Sequence, residues 1–275
     1  KENTPKGSLI IPMAGFGERF TNKGYMIPKP LISISGRPMV IQAIDDMQPA
    51  KNYSFVMRKD MIGNKELIDT LNKKYPNGVI KLVDQPTQGQ ASSSLIGLEA
   101  LEKKVGSLCE PITIASCDNG CLYSNSSFQK LFNDKKPDII VWGYRGHPNA
   151  MRCPSSFGWI DADSNARISS INVKKPISEV FTEPIVIGTF TFRNANILRE
   201  CLNSLFRRKG LVNNEYYIDS CINDALKIGY KCFLFEVENY ISWGNPDDLK
   251  TFEYWQSCFH KWKYHPYSLY KDKKI

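Results

Sequence analysis

Long apolar runs are missing from this 275-residue sequence. None comes near the roughly 20 residues needed to cross a bilayer, so no integral membrane protein is expected. No signal-peptide pattern is present either. Histidine is scarce, at three, and the eight cysteines (109, 117, 121, 153, 201, 221, 232, 258) contain no C-x-x-C pair and no regular framework. That usage argues against a zinc centre, even though Cys117 and Cys121 bracket Asp118, and it fits reduced thiols in the cytoplasm. A nucleophile–His–Asp set is lacking. So is any basic stripe interleaved with aromatics, which argues against a nucleic-acid partner despite a formal charge of +8. The positive balance suits acidic small molecules such as nucleotides and phosphomonoesters instead.

No Gly/Ser or Pro-rich linker interrupts the chain. One α/β domain over 1–275 is therefore expected, with a first half (1–145) and a second half (146–275) of different character. Because the first residue is Lys, the chain reads as trimmed or as a domain of a longer polypeptide.

In the first half, apolar β-branched runs alternate with helical patterns. Strands are predicted at Leu9–Ile11, Ser54–Met57, Val79–Val83, Pro111–Ser116 and Asp138–Trp142. Asn64–Lys74 places Leu67, Ile68 and Leu71 on one helical face, and Gln90–Val105 does the same with Leu95, Leu98 and Leu101. This βαβα rhythm predicts a mostly parallel, Rossmann-like sheet flanked by helices, whose ligands sit at the carboxyl ends of strands. In the second half, predicted strands at Phe157–Ala162, Ile168–Val173, Ile185–Arg193 and Tyr230–Val237 suggest antiparallel additions. Near the C-terminus Phe252, Trp255, Phe259 and Trp262 recur at helical spacing. A helix packing these aromatics onto its own core is expected; a subunit interface, making a homo-oligomer, is the alternative.

The segment Leu9–Pro30, LIIPMAGFGERFTNKGYMIPKP, carries the densest information. A short strand breaks at Pro12 into a loop with Gly15, Gly17 and Arg19, and Lys29 follows between two prolines. Glycines let backbone N–H groups approach an anion closely, and two cationic side chains add to them. The loop looks built to hold a polyphosphate. Phe20 replaces the third glycine of the dinucleotide fingerprint and no G-K-[ST] follows, so the NAD and P-loop readings weaken.

The pattern G-x-G-x-R-F with P-K-P about ten residues on resembles the nucleotidyltransferases that make NDP-sugars and related CDP- or UDP-activated metabolites. The resemblance covers nearly the whole chain in order. It implies that the loop, with Ala14, Gly15 and Gly17, binds an NTP triphosphate, and that Arg19 and Lys29 act on its phosphates. Gln85-Pro86-Thr87-Gln88-Gly89-Gln90-Ala91-Ser92 is similar to the family's Q-x-P-x-G-x-A motif at the nucleobase, which implies that Gln85 and Gly89 contact the base and that Gln90 or Ser92 lies near the ribose or phosphate. Asp118, at a predicted strand end, takes the place of the family's Mg²⁺ ligand; Mg²⁺ favours a few carboxylates plus phosphate oxygens. In the second half, Gly158 lies in a segment resembling Y-G-x-V, and Lys174-Lys175-Pro176 resembles E-K-P. Lys175 would then grip the acceptor phosphate. Gly188 matches the glycine of the acceptor-pocket strand, and Glu215 lies in a segment resembling N-x-E-[FY].

Two departures qualify the match. Lys174 stands where the sugar enzymes carry a Glu, and a donor-only side chain suits an acidic acceptor. Ser242 stands where the family has its second metal-binding Asp, so either Asp118 holds the metal with water and phosphates or a nearby acid such as Glu215 or Asp247 substitutes.

The reading is a Mg²⁺-dependent, cytoplasmic nucleotidyltransferase that moves NMP from an NTP, CTP favoured, to a phosphorylated acceptor. Capsule or surface-polysaccharide precursors are the expected products. The alternatives are a catalytically weak nucleotide-binding module, which Ser242 favours, and a metal-dependent glycosyltransferase, which lacks its D-x-D near Asp118.

Overall fold

The computed structural model describes residues 7–176 and 182–272. The apolar run at the start forms β1 (Ser8–Met13), whose side chains are almost all buried, and the Gly-rich loop turns into the short α1 (Glu18–Thr21). A small ribbon, β2 (Ser33–Ile34) and β3 (Arg37–Pro38), leads into α2 (Met39–Asp45). The βαβα section follows: β4 (Asn52–Arg58), α3 (Asn64–Lys74), β5 (Val79–Val83), α4 (Gln90–Val105) and β6 (Ile112–Ile114). Strands β5, β4, β1 and β6 lie side by side in parallel, with β1 at the centre, as hydrophobic runs buried on both faces require.

The chain then makes β7 (Asn119–Leu122), α5 (Asn125–Asp134), β8 (Ile139–Tyr144) and α6 (Pro148–Arg152). After these come β9 (Gly158–Ala162), β10 (Ile168–Val173) and β11 (Ile185–Phe192). The remaining elements are α7 (Ala195–Arg207), α8 (Ile218–Ile228), β12 (Cys232–Glu236), β13 (Asn239–Ser242) and α9 (Pro246–Lys261). Strand β11 runs antiparallel to β6 on one side and β8 on the other, and joins the parallel block to the second half. Antiparallel β9 and β10 extend the sheet beyond it, while β12 pairs in parallel with β8. The fold is thus the expected α/β sheet flanked by helices, with antiparallel additions in the second half.

Two core clusters occupy the two faces. One packs α4, α7 and α8 against the sheet through Leu98, Leu198, Leu202 and Ile222. The other packs α2 and α3 through Ile41, Leu67 and Leu71. At roughly 1.5–3 kcal/mol per fully buried aliphatic side chain, these faces hold the strand ends in place.

One pairing was not anticipated. Strands β7 and β13, more than a hundred residues apart, form a separate antiparallel ribbon with Ser242 opposite Asn119. The aromatic stripe of α9 also requires a correction. Phe252 does pack on Trp243, but Trp255 and Trp262 are each more than half exposed. They stack on Phe259 and His265 on the surface instead of entering the core. No helix among the described residues is long and apolar enough to cross a membrane.

Candidate active site

The Gly-rich loop leaves the carboxyl end of β1. Ala14 is buried under it, Gly15 is exposed with open space around its Cα, and Gly17 adopts φ 68° to start α1. A side chain at Gly17 would have to adopt a left-handed backbone beside Lys29 Cβ, so glycine serves the close approach of loop and lysine. Phe20, where the dinucleotide fingerprint needs glycine, is a core residue, and the Lys29 ammonium lies 5.7 Å from its ring centroid.

Lys29 meets Asp118. Its ammonium contacts Asp118 Oδ2 and donates to the Gly244 carbonyl at 3.2 Å. Ser116 Oγ donates to Asp118 Oδ1. Burial alone would raise the Asp118 carboxyl, but Lys29, Ser116 and the more distant Arg19 outweigh it and hold Asp118 below the usual carboxylate range. Asp118 is therefore an ionised carboxylate at neutral pH.

The β7–β13 ribbon sets Ser242 beside this carboxylate. Trp243 N donates to Asp118 O at 2.8 Å, and Ser242 Oγ accepts from Gly244 N at 3.2 Å. A Cβ placed on Gly244 would lie 3.2 Å from Asp118 Oδ2 and 3.4 Å from Ser242 Oγ, so both side chains border the same small space. Behind Ser242 stands Asp248, buried and hydrogen-bonded to Ser242 and Asn245, with its carboxyl raised by burial above the usual range. Asp248, rather than Glu215 or Asp247, is thus the acid that touches Ser242. Ser242 and Asp248 also line a cavity of about 820 Å³ on the α9 side of the ribbon, together with Tyr240, His147 and Trp255; Lys29 and Asp118 do not line it.

The α4 side of the site forms a second group. Gly89, at φ 101°, sits so tightly against Glu215 and Tyr216 that a Cβ would fall 2.7 Å from Tyr216 O. Two backbone hydrogen bonds, Tyr216 N to Gln88 O and Ala91 N to Tyr216 O, lock the Gln88–Gly89 turn onto this segment. Gln90 Nε2 donates to Gly188 O at 3.2 Å. Gly188 has φ 80° at the register shift of β11, a bulge that turns its carbonyl toward α4, and its Cα lies against Ser116. Gln85 is exposed in the loop after β5.

The acceptor-side residues converge less uniformly. Gly158 opens β9 opposite Val173, and Lys174 N donates to Phe157 O at 3.0 Å. The Lys174 ammonium bonds the Ser156 carbonyl and lies 5.3 Å from the Tyr217 ring. Burial lowers the Lys174 ammonium below its ordinary range; nearby Asp219 and Glu215 oppose that, and Arg19 adds to it. Glu215 is exposed. Lys175 points into solvent, and no contact with a described residue joins it to Arg19, Lys29 or Lys174. Asp219, in the first turn of α8, is the residue that sequence reasoning missed. It looks like an ordinary acidic helix start, yet it lies over Gly158 and faces Lys174.

For a divalent cation, the donor set is one ionised carboxylate, a neighbouring hydroxyl and a second acid behind it. That set fits an ion held mainly by Asp118 and by phosphate oxygens. No cluster of three or more His, Cys, Asp or Glu side chains occurs among the described residues.

Comparison with known proteins converges on one fold. No family model matches the chain. A curated relative, the 3-deoxy-manno-octulosonate cytidylyltransferase of Wigglesworthia glossinidia brevipalpis, is 29% identical over 133 residues, 48% of this chain and 49% of the relative. The chain thus spans about half the length of the curated relative it matches. Among solved structures, a nucleoside-diphosphate-sugar pyrophosphorylase from Vibrio cholerae RC9 superposes with a TM-score of 0.72 at 18% identity, over 89% of this chain and 98% of that one. The inositol-1-phosphate CTP transferase of T. maritima gives 0.68 at 14% identity, over 91% and 95%. The UTP-bound UGPase of Acinetobacter baumannii gives 0.66 at 16%, over 92% and 94%. The chain has the nucleotidyltransferase fold, that of the family its sequence motifs resemble.

Proposed function

We propose that this chain is a Mg²⁺-dependent nucleotidyltransferase that transfers NMP from an NTP to a phosphorylated acceptor and releases pyrophosphate. The observation that carries the reading is the convergence of the Gly-rich loop, Lys29, Asp118 and Ser242 at the carboxyl ends of β1 and β6. Arg19 lies within electrostatic reach of Asp118 on one side and of Lys174 on the other.

In the reaction, an oxygen of the acceptor phosphate attacks the α-phosphorus. A new P–O bond forms, the bond to the β-phosphate breaks, and pyrophosphate leaves with the electron pair. A phosphate monoester is already nucleophilic at neutral pH, so no general base is needed, consistent with the lack of a nucleophile–His–Asp set. Arg19 and Lys29 would neutralise the triphosphate, with Lys29 moving from Asp118 to the phosphates, and Lys175 would reach the acceptor phosphate from its exposed position. Catalysis is then positioning and charge neutralisation. Asp118, together with phosphate oxygens, would hold Mg²⁺, which would supply further neutralisation of the polyphosphate.

Cytidine is the favoured base: the curated relative is named a cytidylyltransferase and one structural neighbour a CTP transferase. The relative's octulosonate is a hydroxylated carboxylate, and Lys174 suits an acid of that kind. Surface-polysaccharide or capsule precursors made in the cytoplasm are the products such a reaction would supply. Ser242, in place of a carboxylate, favours a second reading, a nucleotide-binding module without turnover.

A thermal-shift panel of NTPs with Mg²⁺ tests the binding half. CTP should stabilise the chain by roughly 2.7 kcal/mol at a hundredfold excess over its Kd, and more than UTP, dTTP, ATP or GTP. Absence of a shift with every NTP contradicts both readings. A CTP shift without pyrophosphate release in the presence of phosphorylated acceptors favours the module.

A further inference from the structure

We infer that Asp219 and Lys174 form a two-sign acceptor site, in which Asp219 accepts hydroxyl hydrogen bonds while Lys174 holds an anionic group other than the reacting phosphate. The acceptor class is therefore a polyhydroxylated acid, such as a sugar acid phosphate. The inference rests on the nucleotidyltransferase reading and deepens it.

Asp219 is 8% exposed, and no side-chain donor among the described residues reaches its carboxylate. Its Oδ2 lies so close to Gly158 that a Cβ there would be 2.2 Å away. Glycine at 158 is what admits the carboxylate. Burial pushes the Asp219 carboxyl up to about 6, with Lys174 pulling it back down. A buried carboxylate with so few donors works against folding, and it sits beside a second costly feature. Lys174 holds φ 58°, a left-handed backbone that a Lys seldom adopts, and it is half-buried, which lowers its ammonium below the ordinary range. Costs of this kind gather at ligand sites more often than in pure scaffold.

The surroundings complete the chemistry. Arg19 from α1 adds a second positive charge, Glu215 a second negative one, and Tyr217 offers its ring beneath the Lys174 ammonium. A ligand with hydroxyls alone gives Lys174 and Arg19 no anion to hold, and a ligand with anions alone is repelled by Asp219. One carrying both satisfies both sides.

Calorimetric titration with two probes tests the site: glucose 1-phosphate, and glucuronate 1-phosphate, which differs by a carboxylate at C6. The wild-type chain should bind glucuronate 1-phosphate at least tenfold more tightly. Lys174→Gln should abolish that preference. Asp219→Asn, and Asp219→Thr as a second variant, should weaken both probes tenfold or more with CTP affinity kept within about twofold. Equal affinity of the wild-type chain for the two probes, including binding of neither, overturns the inference. So does an Asp219→Asn chain with wild-type affinities. The same wild-type sample is titrated with CTP and Mg²⁺. Lack of any nucleotide binding sinks the nucleotidyltransferase reading itself, whereas CTP binding without a probe preference sinks only the acceptor site.

Discussion

The Lys29 ammonium rests on the Asp118 carboxylate, 89 residues further along the chain, so two charges assigned to phosphate and metal neutralise each other in the free protein. The pair also explains why Asp118 stays ionised despite its burial. On the proposed reading, a cation that takes Asp118 would free Lys29 for the triphosphate.

Lys29→Met should reduce turnover by two or more orders of magnitude, the scale of losing a key charge stabiliser. It should also lower stability without metal by about 1–3 kcal/mol, because it leaves a desolvated carboxylate without its counter-charge. Mg²⁺ should restore more of the lost melting temperature than it adds to the wild-type chain. Scanning fluorimetry with and without Mg²⁺ checks this, and equal Mg²⁺ shifts in both chains would count against the exchange.

Asp118→Asn should keep the fold and weaken divalent-cation binding at least tenfold, measured with Mn²⁺ by electron paramagnetic resonance. Ser242→Asp places a second carboxylate beside Asp118 and should bind Mn²⁺ as tightly as the wild-type chain or more so. Unchanged Mn²⁺ affinity in Asp118→Asn would reduce Asp118 to a turn residue.

Asp219 gives a pH dependence of definite sign. Burial pushes its folded carboxyl up to about 6, above the ordinary carboxylate value of 3.8. Between about pH 4 and 6 the native chain therefore holds a proton that the unfolded chain has released. This group's share of stability falls as pH rises through that window and stays low above it. Asp219→Asn should be more stable than wild type at pH 7.5 by up to about 3 kcal/mol, at roughly 1.4 kcal/mol per pH unit, a figure that already includes the attraction to Lys174. The gain should vanish near pH 4. Urea denaturation at the two pH values decides, and destabilisation at pH 7.5 would contradict the assignment.

Gly158→Ala forces a methyl group onto Asp219 Oδ2 and should cost about 1–3 kcal/mol, the range for overpacking a tight site. In an Asp219→Ala background most of that cost should disappear, because the clashing oxygen is gone. A double-mutant cycle without such coupling would show that Gly158 serves some other neighbour.

Where periodicity and punctuation agree, the sequence reading matches the structure closely. Val79–Val83, Asn64–Lys74 and Gln90–Val105 form with the predicted bounds, since Gly63, Gly89 and Gly106 mark the helix ends. The resemblance puts Lys29 and Asp118 at one phosphate centre, but neither the motifs nor the strand-end rule signals the ion pair they form. The β7–β13 ribbon was not legible, because Asn119-Gly120 reads as a turn and its partner Asn239–Ser242 carries too few apolar residues to signal a strand. Asp219 was hidden by its role as an acidic first-turn residue; only the proximity of Gly158 reveals it. The α9 aromatics misled because helical spacing records a face but not what covers it.

Label transfer from α-³²P-CTP tests the central claim most directly. With Mg²⁺ and glucuronate 1-phosphate, the account predicts a labelled nucleotidyl–acceptor product and pyrophosphate in equal amounts, both abolished by Lys29→Met. Release of labelled CMP without acceptor product, or no consumption of any NTP across acidic and neutral sugar phosphates, would contradict it.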